Sequence, residues 1–177
     1  MAQQSASPEP YNDADAYQIY SVLLPHEEAY GDTMVIREET AGPLRGRSGF
    51  PIGPENCLYP EAASRFGDAV ADYNRVNQKT WLLQRKFQLD KPYEIVNSDT
   101  IKVLADGWNW EGFYKRYPRS GGILEMSAVG FNKDKTRAIV YSGAACGSLC
   151  GSWSFHILER VDTGWKEVPG VSCHTVS

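Results

Sequence analysis

No stretch of the 177-residue chain approaches the roughly 20 consecutive apolar residues that cross a bilayer as a helix, so membrane insertion is not expected. An excess of positive charge is missing too. Eighteen Lys and Arg stand against 22 Asp and Glu, giving a formal net charge of −4. A protein that neutralises phosphates needs a basic face, so no nucleic-acid partner is expected. Phosphate-cradling loops of the GxxxxGK[ST] and GxGxxG types are absent, as is the GxSxG nucleophile elbow. Gly46-Arg47-Ser48-Gly49 is the nearest approach to that elbow and lacks its final glycine at the required spacing. His26-Glu27-Glu28-Ala29-Tyr30 opens like a zincin helix, but Tyr30 stands where the second imidazole is required. Neither a resident cofactor nor a metal is expected.

The first ten residues, Met1 to Pro10, contain no basic and no apolar segment. They are not a signal peptide. Small, polar and proline-rich, they read as the start of a mature secreted or periplasmic protein whose export signal has been replaced by an initiator Met. Residues 1–12 are expected to be a flexible tail and 13–177 one domain. Four cysteines, Cys57, Cys146, Cys150 and Cys173, fit an oxidising compartment. Four allow three pairings. The expected ones are Cys146–Cys150, within one short loop, and Cys57–Cys173, tying a long loop to the last strand.

Local patterns order the chain. Asp13 to Leu24 reads as a helix with Asp13 as its cap and Pro25 as its stop. Val35 and Ile36 carry a short strand. Residues 40–59 form a long Gly/Pro-rich loop. Pro60 opens a helix to about Gln78, with Phe66, Val70 and Tyr73 on one face. Trp81 to Leu89 is ambiguous between helix and strand, and Tyr93 to Val96 reads as a strand. Ser98 or Asp99 caps a short turn of helix through Leu104. Trp110, Phe113, Tyr114 and Tyr117 repeat at helical spacing, which makes an aromatic face. Strands then follow at Gly122–Phe131, Thr136–Ala144, Ser152–Val161 and Trp165–Val168, the last interrupted by Pro169-Gly170 before Val171–Val176. In the third of these, Trp153, Phe155 and Ile157 share one face and Ser154 and His156 the other. Short turns make sequential strands antiparallel neighbours. The expected fold is α+β: N-terminal helices packed on a C-terminal antiparallel β-meander of about four strands.

The run Trp110-Glu-Gly-Phe113-Tyr114-Lys-Arg-Tyr117-Pro118, then Ser127-Ala-Val129-Gly130-Phe131-Asn132, Ala138-Ile-Val140-Tyr141 and Cys146-Gly147-Ser-Leu149-Cys150-Gly151 resembles small exported proteins of environmental bacteria with no assigned function. The resemblance covers roughly the last 70 residues, including the Trp165 that follows the Asp162-Thr163-Gly164 turn. It implies export and the sheet, and no activity.

Two other kinds of cysteine chemistry fit the spacing less well than disulfides. Cys146-Gly-Ser-Leu-Cys150-Gly-Ser-Trp153 echoes the papain-type signature but carries Leu149 as an insertion, and lies between strands rather than at a helix N-terminus. Cys146 and Cys150 with His156, Cys173 and His174 fall short of a zinc site, because Cys173 and His174 are neighbours on a strand and point to opposite faces. The remaining ligand-binding candidates are Arg45, Arg47 and Ser48 on the long loop, where guanidinium forks suit carboxylate or phosphate, and Trp108 after Gly107. Glu111 and Glu125 alone give no evidence of a glycosidase. The leading expectation is an exported, non-enzymatic module that binds a small ligand, a glycan or a protein partner. The alternatives are a small secreted hydrolase, built from scattered residues around His156 or His174 and a carboxylate, and a secreted inhibitor or immunity-type protein.

Overall fold

The computed structural model describes residues 8–24, 31–43, 53–56, 58–105, 109–169 and 173–176, the last four by backbone alone. Its centre is an eight-stranded mixed sheet. Four long or paired segments make an antiparallel meander. The first is broken into β5 (Ile123–Met126) and β6 (Gly130–Phe131), both lying along β7 (Arg137–Gly147). Next comes β8 (Cys150–Val161), antiparallel to β7. The far edge of β8 is covered in turn by β9 (Gly164–Glu167) and β10 (Cys173–Val176). The fourth strand is therefore interrupted, as Pro169 dictates: a proline has no N–H to give the ladder.

The expectation of a four-stranded antiparallel sheet falls short. β2 (Met34–Arg37) pairs parallel with β5, and β4 (Tyr93–Val96) pairs parallel with β2, which makes the sheet larger and mixed. Both are short apolar runs, and a short run does not reveal which edge it joins or in which direction. A separate parallel pair joins β1 (Glu9–Pro10) to β3 (Trp81–Leu82), which resolves the ambiguous Trp81–Leu89 segment as a two-residue strand followed by irregular chain.

Helices cover both faces and are not confined to the N-terminal part. α1 (Ala14–Leu23) is capped by Asp13, whose carboxylate accepts from the N–H groups of Asp15 and Ala16. It buries Ala16, Tyr17, Ile19 and Tyr20 against one sheet face, with Met34, Ile36, Leu124, Met126, Val140 and Leu158. α2 (Pro60–Val76) starts on its proline and lays Ala62, Phe66, Ala69 and Tyr73 on the opposite face, against Ile139, Tyr141, Phe155 and Ile157. It comes so close to β6 that a Cβ on Gly130 would lie 2.3 Å from the Tyr73 backbone nitrogen. α3 (Ser98–Leu104) and α4 (Glu111–Arg116) fill the rest of that face through Ile101, Phe113 and Tyr117, beside Val35, Val96 and Ile123. The aromatic stripe is thus core at Phe113 and Tyr117. The α3 cap is Asn97, one residue before the expected Ser98 and two before Asp99; its side-chain oxygen accepts from the Thr100 N–H at 2.8 Å. Ser98 instead bonds Glu39 through both its N–H and its hydroxyl.

Among the described residues, no helix is long and apolar enough to cross a membrane. Cys146 and Cys150 form a disulfide across the tip of the β7–β8 hairpin, leaving Leu149 78% exposed. Of the other expected bridge, Cys57 lies outside the described residues, as does the side chain of Cys173.

Candidate functional site

Successive strand residues point to opposite faces, so β7 places Ala138, Val140 and Ser142 on the α1 face and Ile139 and Tyr141 on the α2 face. Which face of β8 meets each set depends on register. Below the hairpin tip, Val140 pairs with His156 and Ser142 with Ser154. At the tip, Gly147 pairs with Cys150, so the register shifts between Ala145 and Gly147. A one-residue slip would exchange the faces of a whole strand. This irregularity is what puts Ser142 on the same face as His156. On the other side of β8, the tight turn after Val161 pairs Leu158 with Glu167, which brings a carboxylate diagonally beside the same imidazole.

The three side chains form one hydrogen-bonded chain. Ser142 Oγ lies 2.7 Å from His156 Nε2, and His156 Nδ1 lies 2.9 Å from Glu167 Oε1. His156 is 8% exposed, and both ring nitrogens are satisfied. The carboxylate can only accept, so Nδ1 donates to Glu167; Nε2 is then the lone-pair nitrogen, and the Ser142 hydroxyl donates to it. Ser142 is half-buried, and Glu167 is 42% exposed in its side chain. The nucleophile, base and orienting acid of a Ser–His–acid triad stand in this relation, recognised by geometry and role rather than by position in the sequence.

The opposite face of the same ribbon carries a different polar group. The Tyr141 hydroxyl donates to Glu125 Oε1 at 2.9 Å, and Glu125 Oε2 lies 3.6 Å from Arg37 Nε. These line a cavity of about 270 Å3 with Gly143 and Ser152. Burial, and then the Glu125 charge beside it, push the Tyr141 phenol well above its ordinary range, so it remains a neutral donor. A groove of about 560 Å3 near the start of α1 is lined by Tyr11, Trp81, Phe131, Asp13, Asp72 and Lys135 among others. Its carboxylates are already engaged: Asp13 with Lys135, and Asp72 with Arg75 and the Phe131 N–H.

Of the residues singled out in the sequence, Arg45, Arg47, Ser48 and Trp108 lie outside the described residues. Cys146 and Cys150 are bonded to each other, so neither offers a thiolate to a metal or a substrate. His174 pairs with Ser154 through the β10 ladder. His26 is outside the described residues. Ser142 and Glu167 are not among the residues singled out. Half of the signal was there, since the Asp162-Thr163 turn alone fixes the Leu158–Glu167 pairing. The other half, the register shift near Cys146, has no signature in residue type.

Compared with known proteins, the chain matches no family model, no curated protein and no solved structure.

Proposed function

We propose that the protein is a small exported serine hydrolase that cleaves carboxylic esters by acyl transfer. Ser142 is the nucleophile, His156 the general base, and Glu167 the carboxylate that holds the imidazole in its Nδ1–H tautomer. The observation that carries this is the continuous Ser142–His156–Glu167 hydrogen-bond chain at 2.7 and 2.9 Å. Export rests on the Cys146–Cys150 disulfide, a bond favoured in oxidising compartments.

In the first step Ser142 Oγ attacks the ester carbonyl carbon, and its proton passes to His156 Nε2. The carbonyl oxygen takes the electron pair. Collapse of that intermediate expels the alcohol, which leaves with the proton returned from Nε2. Water then repeats the sequence on the acyl-serine, releasing the acid and restoring Ser142. Glu167 stabilises the imidazolium that forms each time. An ester asks less of the general acid than an amide does, because its alkoxide leaves more readily.

The test is twofold, on the full chain. Purified protein is treated with a fluorophosphonate, which bonds covalently to activated serines, and the labelled peptide is identified by mass. Hydrolysis of p-nitrophenyl acetate is followed in parallel. Labelling at Ser142, lost in Ser142→Ala and in His156→Ala, supports the reading. Absence of both label and turnover in a folded, disulfide-intact sample overturns it.

A further inference from the structure

A nucleophile on a flat central strand has a problem that one at a sharp turn does not. The oxyanion formed at the substrate carbon needs donors, and acyl-transfer sites usually draw them from free backbone N–H groups. Around Ser142 these are consumed. The Tyr141 N–H donates to Ser127 Oγ at 2.9 Å, and the Tyr141 carbonyl accepts from the Ser127 N–H at 3.0 Å, so both polar groups of Tyr141 turn toward β5. By the alternation of an antiparallel strand, those of Ser142 turn the other way, to Ser154 on β8. Amides of β7 lie in the plane of the sheet between two neighbours and do not rise toward a substrate on the α1 face.

Side chains must then supply the donor. Ser154 is the direct cross-strand partner of Ser142, on the same face, and stands two residues before His156 on that face. Opposed residues in such a pair hold their Cβ atoms about 4.5–5.5 Å apart. A carbonyl carbon bonded to Ser142 Oγ would therefore carry its oxygen within reach of the Ser154 hydroxyl. Among the described residues that hydroxyl makes no side-chain hydrogen bond. Ser142 differs in this respect, because its proton is given to His156.

We propose that Ser154 is a catalytic residue whose hydroxyl donates to the oxyanion formed on the substrate carbon when Ser142 attacks. The proposal rests on the Ser142–His156–Glu167 reading and adds a role that reading does not contain. Ser154 neither abstracts nor relays a proton. Its hydroxyl keeps its hydrogen throughout and strengthens one hydrogen bond as negative charge builds on the carbonyl oxygen, the differential binding that lowers a barrier.

The experiment compares wild type, Ser154→Ala, Ser154→Thr and Ser142→Ala, each confirmed folded by circular dichroism, in p-nitrophenyl acetate hydrolysis and fluorophosphonate labelling. Loss of one oxyanion donor is expected to lower kcat by about 10²–10³-fold with little change in KM. Ser154→Thr keeps a hydroxyl, and threonine suits a strand, so it should recover most of that loss. Slower labelling of Ser154→Ala, still at Ser142, is also expected. If Ser154→Ala turns over within about twofold of wild type while Ser142→Ala is inactive, the Ser154 role is overturned and the triad stands. Equal losses in Ser154→Ala and Ser154→Thr overturn it as well, because the hydroxyl is then not what matters. If wild type neither labels nor turns over, the triad falls and the Ser154 role falls with it.

Discussion

On its two faces the β7–β8 ribbon presents the same pair of groups, a hydroxyl and a carboxylate, and the faces differ by one imidazole. On the α2 face Tyr141 donates straight to Glu125. On the α1 face His156 stands between Ser142 and Glu167. A direct hydroxyl–carboxylate bond satisfies two buried polar groups and ends there, with the phenol held neutral by burial and by the adjacent charge. An inserted imidazole takes its orientation from the carboxylate and offers its other nitrogen to the serine, the relation of base to nucleophile in the proposed triad. The first arrangement satisfies buried groups; the second, in the proposed hydrolase, moves a proton. Variants on the two faces should separate accordingly, turnover responding on one and stability on the other.

The largest effect is expected at the centre of the α1 face. Ser142→Ala or His156→Ala should lower p-nitrophenyl acetate turnover by about 10³-fold or more, and the double variant should be little worse than either single one, because the groups act as a unit. Multiplicative losses, read from the initial rates of all three proteins, would show that the two residues work independently and would break the contrast. Glu167→Gln should cost less than either, up to about 10⁴-fold, because the amide fills the space but no longer carries the charge that stabilises the imidazolium and can turn the imidazole to the wrong tautomer. A larger rate loss for Glu167→Gln than for Ser142→Ala would reverse the assigned roles.

The hairpin tip belongs to both faces at once, since it closes the strands that carry them. Replacing Cys146 and Cys150 together by serine opens a loop of only a few residues, for which the chain-entropy relation gives about 2 kcal/mol. Urea unfolding of the double variant would read that loss. The disulfide sits beside the register shift that aligns Ser142 with His156. The variant should therefore lose turnover more than its stability at assay temperature explains, and unchanged turnover would mean the register holds without the bridge.

That register shift also marks where the sequence stopped being legible. Asp13 announces α1, Pro60 announces α2, and the Asp162-Thr163-Gly164 turn announces the β8–β9 pairing, each through a single residue's conformational preference. The alternation of Ser154 and His156 against Phe155 and Ile157 could be read directly, and the packing agrees with it: Phe155 and Ile157 join Trp153 in the core on the α2 face. Two things could not be read. β2 and β4 are four-residue apolar strands whose partners lie far along the chain, and local pattern does not encode parallel pairing at a distance. The irregularity between Ala145 and Gly147 decides which face of β7 meets His156, and no residue type there requires it. The site needed the sum of two registers, one visible and one not, so His156 was a candidate without its partners.

The smallest effect, and the sharpest on the α2 face, is that of Tyr141→Phe. At neutral pH it should cost about 1 kcal/mol, the worth of one hydrogen bond, and leave turnover within about twofold of wild type. Its pH dependence distinguishes it from any other loss of a contact. Burial and the Glu125 charge raise the phenol's pKa in the folded protein, while the unfolded chain titrates near about 10. Above that value the unfolded state releases the Tyr141 proton and the folded state holds it, so stability contributed by the neutral phenol is lost as pH rises, by up to about 1.4 kcal/mol per pH unit. Phenylalanine has no proton to release. Tyr11, Tyr20 and Tyr73, raised by the same burial, weaken both proteins alike in alkali. The gap between wild type and Tyr141→Phe should therefore close from about pH 10 upward and then reverse, as urea unfolding midpoints in a series of alkaline buffers would show. A gap that stays constant through pH 11 would mean that the phenol titrates alike in both states, and the α2 face would lose the feature that sets it apart from the α1 face.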